Sequence, residues 1–265
     1  MSVKGWLIDV QGTLIDDKEK KPIPGSVEAI ADLRRKGVPF VLVTNNTKHD
    51  SAAFRDYLRS LGFVFEDRQY LDPLMVLSRV VPPAPVAAYG SDAFLEVLQK
   101  RGYRLQKGRP EAVLVAIRPD FTNDDYAEMI EQTLAGAKLV GMHETSIYAK
   151  NGRRYPGVGA ILKMVSFATG RDYEVVGKPS VAFYEEALRL IRAQDPDLGF
   201  ADVGMISDDL IGDLIGAKKM GMETVLVLSG KIRSVAEVQK RLQEGADAVA
   251  EDIGAWFLKD RKGAA

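Results

Sequence analysis

Acidic, amide, hydroxyl and lysine side chains follow four of the apolar, strand-length runs in this sequence. The four clusters stand in the segments "WLIDVQGTLID" (6–16), "VTNNT" (43–47), "VGKPS" (176–180) and "SDDLIGD" (207–213). Taken singly, such residues after a strand are also common turn formers and helix caps. Because ligands of open α/β sheets bind beyond the carboxyl ends of the strands, four such clusters in succession predict one shared site.

The chemistry of these side chains suits a phosphoryl group and a cation. The carboxylates of Asp9, Asp208 and Asp213 suit Mg²⁺, which prefers oxygen ligands and retains several waters. Thr44 and Lys178 would hold a phosphoryl group through a donated hydrogen bond and a positive charge. Asp9 is then a candidate nucleophile, since carboxylates form aspartyl-phosphate intermediates in other enzymes.

The composition excludes several other kinds of site. The 265-residue chain has no Cys and two His, so we expect neither disulfides, nor thiolate catalysis, nor a zinc centre. A net charge of -1, with 46% hydrophobic and 28% charged residues, is typical of a globular protein that binds neither nucleic acid nor membranes. The first strand lacks the apolar core of a signal peptide, and no apolar run has the length of a membrane span, so we expect a cytoplasmic protein.

The elements that must position these side chains alternate between strand-like and helix-like patterns, which predicts the α/β class with a parallel sheet. The polar clusters follow the first four predicted core strands. The predicted core strands are 3–10, 38–44, 173–177, 202–207, 223–228 and 247–250, with helices at 26–37, 180–192 and 214–221.

A second region lies between the Pro-rich segment at Pro82 and about Gly170, and it has its own alternation of strands and helices. Its predicted strands are 85–90, 111–117 and 137–142, and its predicted helices are 91–102 and 122–136. This is enough material for a small α/β sandwich. We therefore predict one domain from residues 1–81 and 171–265, with a second domain of residues 82–170 inserted into it.

The motifs "DVQGTL", "VTNNT", "VGKPS" and "SDDLIGDLIGAKKMGM" resemble, in their order and spacing, the four motifs of the haloacid dehalogenase (HAD) superfamily. The resemblance is closest to its subfamily IIA, the NagD-like and p-nitrophenyl-phosphatase-like hydrolases, in which an α/β cap domain is inserted between the second and third motifs. It implies a Rossmann-like parallel-sheet core, a cap that determines substrate specificity, and a Mg²⁺-dependent phosphatase.

The resemblance also implies a role for each matching residue. Asp9 matches the nucleophile and a metal ligand, and Lys178 matches the lysine that neutralises nucleophile and phosphate. The other matches are Thr44 for the phosphate-binding hydroxyl, Asn45 for a substrate-side amide, Asp208 and Asp213 for acidic metal ligands, Asp209 for a neighbour of these, and the backbone carbonyl of Gln11 for a further metal ligand.

The sequence departs from the family at two places. The usual DxDGT motif has a second Asp as general acid and base, whereas this chain has Gln11, which can form hydrogen bonds but cannot carry a proton. Loss of such a group typically lowers the rate by about 10²–10⁴. The cap loop that usually reads "TNPD" is "GMHETS" here, so His143 is either a replacement acid and base or a loop histidine.

The sequence thus predicts a Mg²⁺-dependent phosphatase that acts on a small phosphorylated metabolite through Asp9, slowly or on specialised substrates because of Gln11. One alternative is a catalytically impaired protein of the same fold that binds or senses a phosphate ligand. Another is a different HAD chemistry, such as carbon–halogen or carbon–phosphorus cleavage, and the retained metal carboxylates argue against the carbon–halogen version. We expect no nucleic-acid or membrane partner. The sequence does not decide between a monomer and a homodimer.

Overall fold

The structure of the protein is a computed structural model that describes residues 3–150 and 153–258. In chain order, its strands are β1 (Gly5–Asp9), β2 (Phe40–Val43), β3 (Tyr70–Leu71), β4 (Pro85–Tyr89), β5 (Arg104–Leu105), β6 (Ala112–Val115), β7 (Lys138–Gly141), β8 (Ile147–Lys150), β9 (Arg153–Pro156), β10 (Tyr173–Val175), β11 (Val203–Ser207), β12 (Glu223–Val227) and β13 (Ala248–Ala250).

The helices alternate with these strands along the chain, as the α/β class requires. In chain order, the α-helices are α1 (Ser26–Arg35), α2 (Ser51–Ser60), α3 (Pro73–Val80), α4 (Asp92–Lys100), α5 (Asn123–Leu134), α6 (Val158–Thr169), α7 (Val181–Arg192), α8 (Ile215–Lys219), α9 (Leu242–Gly245) and α10 (Ile253–Phe257). A π-helical turn, Leu210–Leu214, leads directly into α8.

The chain divides into two compact units. The first unit comprises Met1–Thr44, Ala52–Leu71 and Tyr184–Ala265, and the second comprises Asn45–Ser51 and Asp72–Phe183. The domain boundaries expected from the sequence, 82 and 170, both lie inside the second unit. The assignment of residues 82–170 as a cap stays a prediction.

The first unit is built on a parallel sheet with the strand order β13-β12-β11-β1-β2-β3. Trp6 of β1 pairs with Gly204 on one side and with Phe40 on the other, so β1 occupies the middle of this sheet. The strands β1, β2 and β11 are buried along their whole length, as expected where helices cover both faces of a parallel sheet. The predicted α/β class and its parallel core sheet are confirmed.

The second unit contains a separate parallel sheet with the order β10-β7-β6-β4-β5. The expectation that residues 173–177 form a strand of the core sheet is wrong, because β10 pairs with β7 of this second sheet, with Tyr173 opposite Leu139. The Tyr173 hydroxyl donates to Glu144 Oε1 at 2.7 Å, and both Tyr173 and Val175 pack on the apolar core of this unit. Lys178 therefore follows a strand of the second sheet.

Helices α5 and α6 supply much of the apolar core of the second unit, including Met129 and Leu162, both fully buried. The antiparallel hairpin β8-β9 precedes α6, and the rings of Tyr148 and Tyr155 stack across it with centroids 5.4 Å apart. No helix within the described ranges is long and apolar enough to span a bilayer.

Candidate active site

Three neighbouring strands of the first unit end in the polar residues that the sequence singles out. Asp9 is the last residue of β1, Thr44 directly follows β2, and Asp208 directly follows β11. Because β1 lies between β11 and β2 in a parallel sheet, these three residues share one edge. All three side chains are buried.

A tight turn after β1 fixes the residues that follow Asp9. The N–H of Gly12 donates to the carbonyl of Ile15 at 2.7 Å, and Gly12 has φ of +80°, a left-handed conformation that favours glycine. The Thr13 hydroxyl lies 3.4 Å from Asp9 Oδ2 and donates to it. Thr13 therefore helps to orient the carboxylate expected to be the nucleophile.

Gln11 makes a direct contact with the expected phosphate-binding residue. The hydroxyl of Thr44 donates to Gln11 Oε1 at 2.7 Å, across 33 residues of sequence. A hydroxyl has a single proton to donate, so this contact and a hydrogen bond from Thr44 to a phosphoryl oxygen exclude each other.

Asp208 is held against the turn that follows β1. A Cβ at Gly12 would lie 2.5 Å from Asp208 Cγ, so the carboxylate packs on the bare backbone there. The backbone N–H of Lys231 donates to Asp208 Oδ2 at 2.5 Å. Burial raises the pKa of Asp208 well above its usual value, and the negative charge of Asp9 raises it further.

The two other acidic residues of the fourth motif have structural partners. Asp209 accepts from the N–H of Gly212 at 2.8 Å as the cap of the π-helical turn, and Lys231 Nζ donates to its other oxygen at 2.6 Å. Asp213 is buried, and its Oδ2 accepts from the Ser207 hydroxyl at 2.6 Å.

Within residues 3–150 and 153–258, no three His, Asp or Glu side chains are arranged to hold a metal ion together. Asp9, Asp208 and Asp213 lie near one another, since the charges of both Asp9 and Asp213 raise the pKa of Asp208. They do not form a three-carboxylate cage.

The remaining predicted residues belong to the second unit. The N–H of Lys178 donates to Asn45 Oδ1 at 2.9 Å, and Asn45 Nδ2 donates to the carbonyl of Lys178 at 3.2 Å. Lys178 is 2% exposed. His143 is also buried, and its Nδ1 shares a hydrogen bond of 3.0 Å with the Thr145 hydroxyl. The structure thus brings Asn45 and Lys178 together, and it gives His143 a partner on its own loop.

Sequence reasoning missed the segment after β12. The Ser229 hydroxyl donates to the carbonyl of Gly12 at 2.7 Å, and Gly230 and Lys231 contact Asp208. The signal was present, because "SGK" follows an apolar strand at the same sheet edge as the other clusters.

Two sequence profiles of one hydrolase family match separate parts of the chain. The profile described as haloacid dehalogenase-like hydrolase matches residues 6–104, and the profile described as HAD-hydrolase-like matches residues 175–256. These ranges contain all four motifs. A relative from Bos taurus, phospholysine phosphohistidine inorganic pyrophosphate phosphatase, is 29% identical over 251 residues, covering 87% of this chain and 85% of its own.

Solved structures of other proteins have a similar fold. The p-nitrophenyl phosphatase from Archaeoglobus fulgidus superposes with a TM-score of 0.82 at 25% identity, over 98% of this chain and 100% of its own. NagD from E. coli K-12 has the same fold, with a TM-score of 0.75 at 21% identity over 96% of this chain and 98% of its own. The four motifs, the parallel sheet that carries three of them and these similarities agree, and the chain belongs to the haloacid dehalogenase superfamily of hydrolases, in its NagD-like and p-nitrophenyl-phosphatase-like subfamily IIA.

Proposed function

We propose that the protein is a Mg²⁺-dependent phosphatase that acts on a small phosphorylated metabolite, with Asp9 as the nucleophile and with turnover limited by Gln11. The observation that carries the proposal is the cluster at the edge of the first sheet. There, the buried carboxylates of Asp9 and Asp208 repel each other, and Thr44 lies beside Gln11. Buried carboxylates that repel each other destabilise the fold, and such arrangements are typical of functional sites. A reaction at phosphorus would employ both carboxylates and the hydroxyl donor beside them.

In the first step, a carboxylate oxygen of Asp9 attacks phosphorus. The bond from phosphorus to the leaving oxygen breaks, and that oxygen departs with the electron pair. Thr13 donates to Asp9 Oδ2, which leaves the carboxylate in a fixed orientation for this attack. In the second step, water attacks the phosphorus of the aspartyl-phosphate, which returns Asp9 as a carboxylate and releases inorganic phosphate.

Both steps need a proton to move, and Gln11 cannot move it. In the first step an alkyl leaving group needs a proton, and in the second step the attacking water must lose one. A leaving group that is stable as an anion, such as nitrophenolate or the carboxylate of an acyl phosphate, removes the first requirement. We infer that such leaving groups suit this site best. A role for His143 as a replacement acid and base stays a prediction from the departure of its loop from the family pattern.

The donor set around Asp208 fits Mg²⁺. All the groups are oxygens, and Asp208 is buried near the negative charges of Asp9 and Asp213, which a divalent cation would offset. Among the described residues, no three of these side chains are arranged as a cage, and we propose that Asp9, Asp208 and Asp213 would hold Mg²⁺ together with the backbone carbonyl of Gln11. When bound, Mg²⁺ supplies positive charge that lowers the repulsion between the nucleophile and the phosphoryl oxygens.

The test is phosphate release from p-nitrophenyl phosphate with and without Mg²⁺, measured for the protein and for Asp9→Asn. We expect Mg²⁺-dependent release by the protein and a loss of at least about a thousandfold in the variant, because the nucleophile is removed. Asp17→Asn is the matched control, since Asp17 has an exposed side chain in the same unit. Equal rates for the protein and Asp9→Asn contradict the assignment of the nucleophile.

One observation favours the second candidate, a protein that binds a phosphate ligand without turning it over. The amide of Gln11 stands beside Thr44 where the family has an acid and base, and it can form hydrogen bonds but cannot carry a proton, so a phosphate ligand could be held there without being turned over. A rise in melting temperature with phosphorylated compounds, with no phosphate released over hours, supports this candidate. The retained pair of Asp9 and Thr13 argues for catalysis, because a binding protein needs no oriented nucleophile.

We also propose that the ligand is a small phosphorylated metabolite, that the protein has no nucleic-acid or membrane partner, and that it is cytoplasmic. Lys178 neutralises the phosphoryl group, and Asn45, which holds the backbone of Lys178 through two hydrogen bonds, sets its position.

A further inference from the structure

The segment Ser229–Gly230–Lys231 follows β12 and contacts both the turn after β1 and the carboxylate of Asp208. The Ser229 hydroxyl donates to the carbonyl of Gly12 at 2.7 Å. The N–H of Lys231 donates to Asp208 Oδ2 at 2.5 Å. The segment therefore joins the turn after β1 to the carboxylate after β11 through two hydrogen bonds.

Gly230 lies between these two contacts, where only glycine fits. A Cβ at Gly230 would lie 2.5 Å from the Cα of Gly12 and 2.7 Å from Asp208 Cγ. Backbone cannot yield at these distances, so any side chain would push Gly12 and Asp208 apart. Three segments that are distant in sequence thus meet without space between them.

Lys231 binds the adjacent residues Asp208 and Asp209 through different groups. Its backbone N–H holds Asp208, whereas its ammonium group donates to Asp209 Oδ2 at 2.6 Å. Asp209 also caps the π-helical turn through Gly212. Asp209 is therefore engaged at both oxygens, and its charge is compensated by a lysine.

We propose that Ser229–Lys231 is a positioning segment that sets the spacing between Asp208 and the Gln11–Gly12 backbone for a divalent cation. The backbone of Lys231 positions Asp208 for the cation, and its ammonium group neutralises Asp209, so that Asp209 does not bind the cation. This inference rests on the proposed function. The segment touches no reacting atom and acts through the groups it holds.

The test is Mg²⁺ binding measured by calorimetry in the absence of substrate, with Mg²⁺ alone as the titrant. For Gly230→Ala we expect at least tenfold weaker binding, because the Cβ separates the two oxygen donors. Gly108→Ala is the matched control, since a Cβ there meets nothing within 4 Å and its affinity stays that of the protein.

Two milder variants distinguish the positioning role of this segment from a general loss of stability. Ser229→Ala removes one hydrogen bond and weakens Mg²⁺ binding about threefold to tenfold. Lys231→Met keeps the backbone N–H but leaves the charge of Asp209 uncompensated, so it strengthens Mg²⁺ binding about threefold. Opposite changes in Mg²⁺ affinity from two positions of one three-residue segment are expected from positioning and charge, and not from a common structural defect.

The outcomes separate this inference from the function on which it rests. If the protein itself binds no Mg²⁺, the metal part of the proposed function fails, and the inference fails with it. If the protein binds Mg²⁺ and both Gly230→Ala and Ser229→Ala bind it equally well, only the positioning role is refuted. Should Gly230→Ala lack a cooperative melting transition, Ser229→Ala and Lys231→Met decide the question.

Discussion

Replacing Gln11 by Asp restores a group that can carry a proton at the place where the amide lies. The carboxyl oxygen of Asp would lie about one bond, roughly 1.5 Å, closer to the backbone than Gln11 Oε1 does. The amide oxygen is now 2.7 Å from Thr44 Oγ1, so the shorter side chain also weakens that contact. Gln11→Asp therefore adds a proton carrier and releases the hydroxyl of Thr44 at the same time.

The expected gain follows from what a positioned acid and base contributes, about 10²–10⁴ in rate. Because the carboxyl group of Asp would lie closer to the backbone than the amide that it replaces, we expect a gain smaller than this range, at least tenfold in kcat. For an alkyl phosphate, the gain includes both steps. For p-nitrophenyl phosphate it is confined to hydrolysis of the aspartyl-phosphate, since nitrophenolate leaves without a proton.

The assay is phosphate release from both substrates, together with rapid-mixing measurement of nitrophenolate. If hydrolysis of the aspartyl-phosphate limits the protein, nitrophenolate appears in a burst of one equivalent per active site, and Gln11→Asp shortens the slow phase. Gln11→Asn is the matched control, because it has the length of Asp and no carboxyl group. A kcat of Gln11→Asp that does not exceed that of Gln11→Asn would refute the reasoning about proton transfer.

Two further predictions concern stability. Hydrogen bonds and charges from Lys36 and Arg35 lower the pKa of Asp32 from 3.8 to about 2. The ionised carboxylate therefore stabilises the fold fully at pH values above the unfolded-state pKa near 3.8, and this stabilisation is lost as the pH falls through about 2. Both basic partners are exposed, so Asp32→Asn should lower the free energy of unfolding by only about 1 kcal/mol at pH 7, with the difference shrinking between pH 4 and pH 2 in urea titrations. A Cβ at Gly204 would lie 2.5–2.9 Å from the Trp6 ring, so Gly204→Ala should cost about 1–3 kcal/mol and change the Trp fluorescence; an unchanged melting temperature would show that the ring has room to move.

The parts of the fold that the sequence predicts well are those whose pattern is local. The strands β1 and β11 are buried on both faces, so each reads as a continuous apolar run that ends at an acidic residue or directly before one. The helix α1 is bounded by glycines, with Glu28 in its first turn and basic residues in its last. Such signals need no knowledge of the partner in space.

The features that the sequence does not predict depend on contacts between residues that are far apart in the chain. A three-residue strand such as β10 has no pattern that tells one parallel sheet from another, and its pairing with β7 depends on a register more than thirty residues away. The contact between Thr44 and Gln11 has the same origin. Both residues were predicted to face one site, but only the structure shows that the first donates its proton to the second.

The described contacts separate groups that hold charge from groups that move protons. Asp9 has Thr13, Asp208 has the N–H of Lys231, and both arrangements are independent of the side chain at position 11. Attack by Asp9, which depends on held charge, should therefore be little affected by Gln11, whereas phosphoryl binding by Thr44 competes with its contact to Gln11. The steps that need a proton to move should carry most of the loss in rate. It follows that substrates of this site rank by the basicity of their leaving group, with acyl and nitrophenyl phosphates ahead of alkyl phosphates, and that the Gln11→Asp variant flattens this ranking.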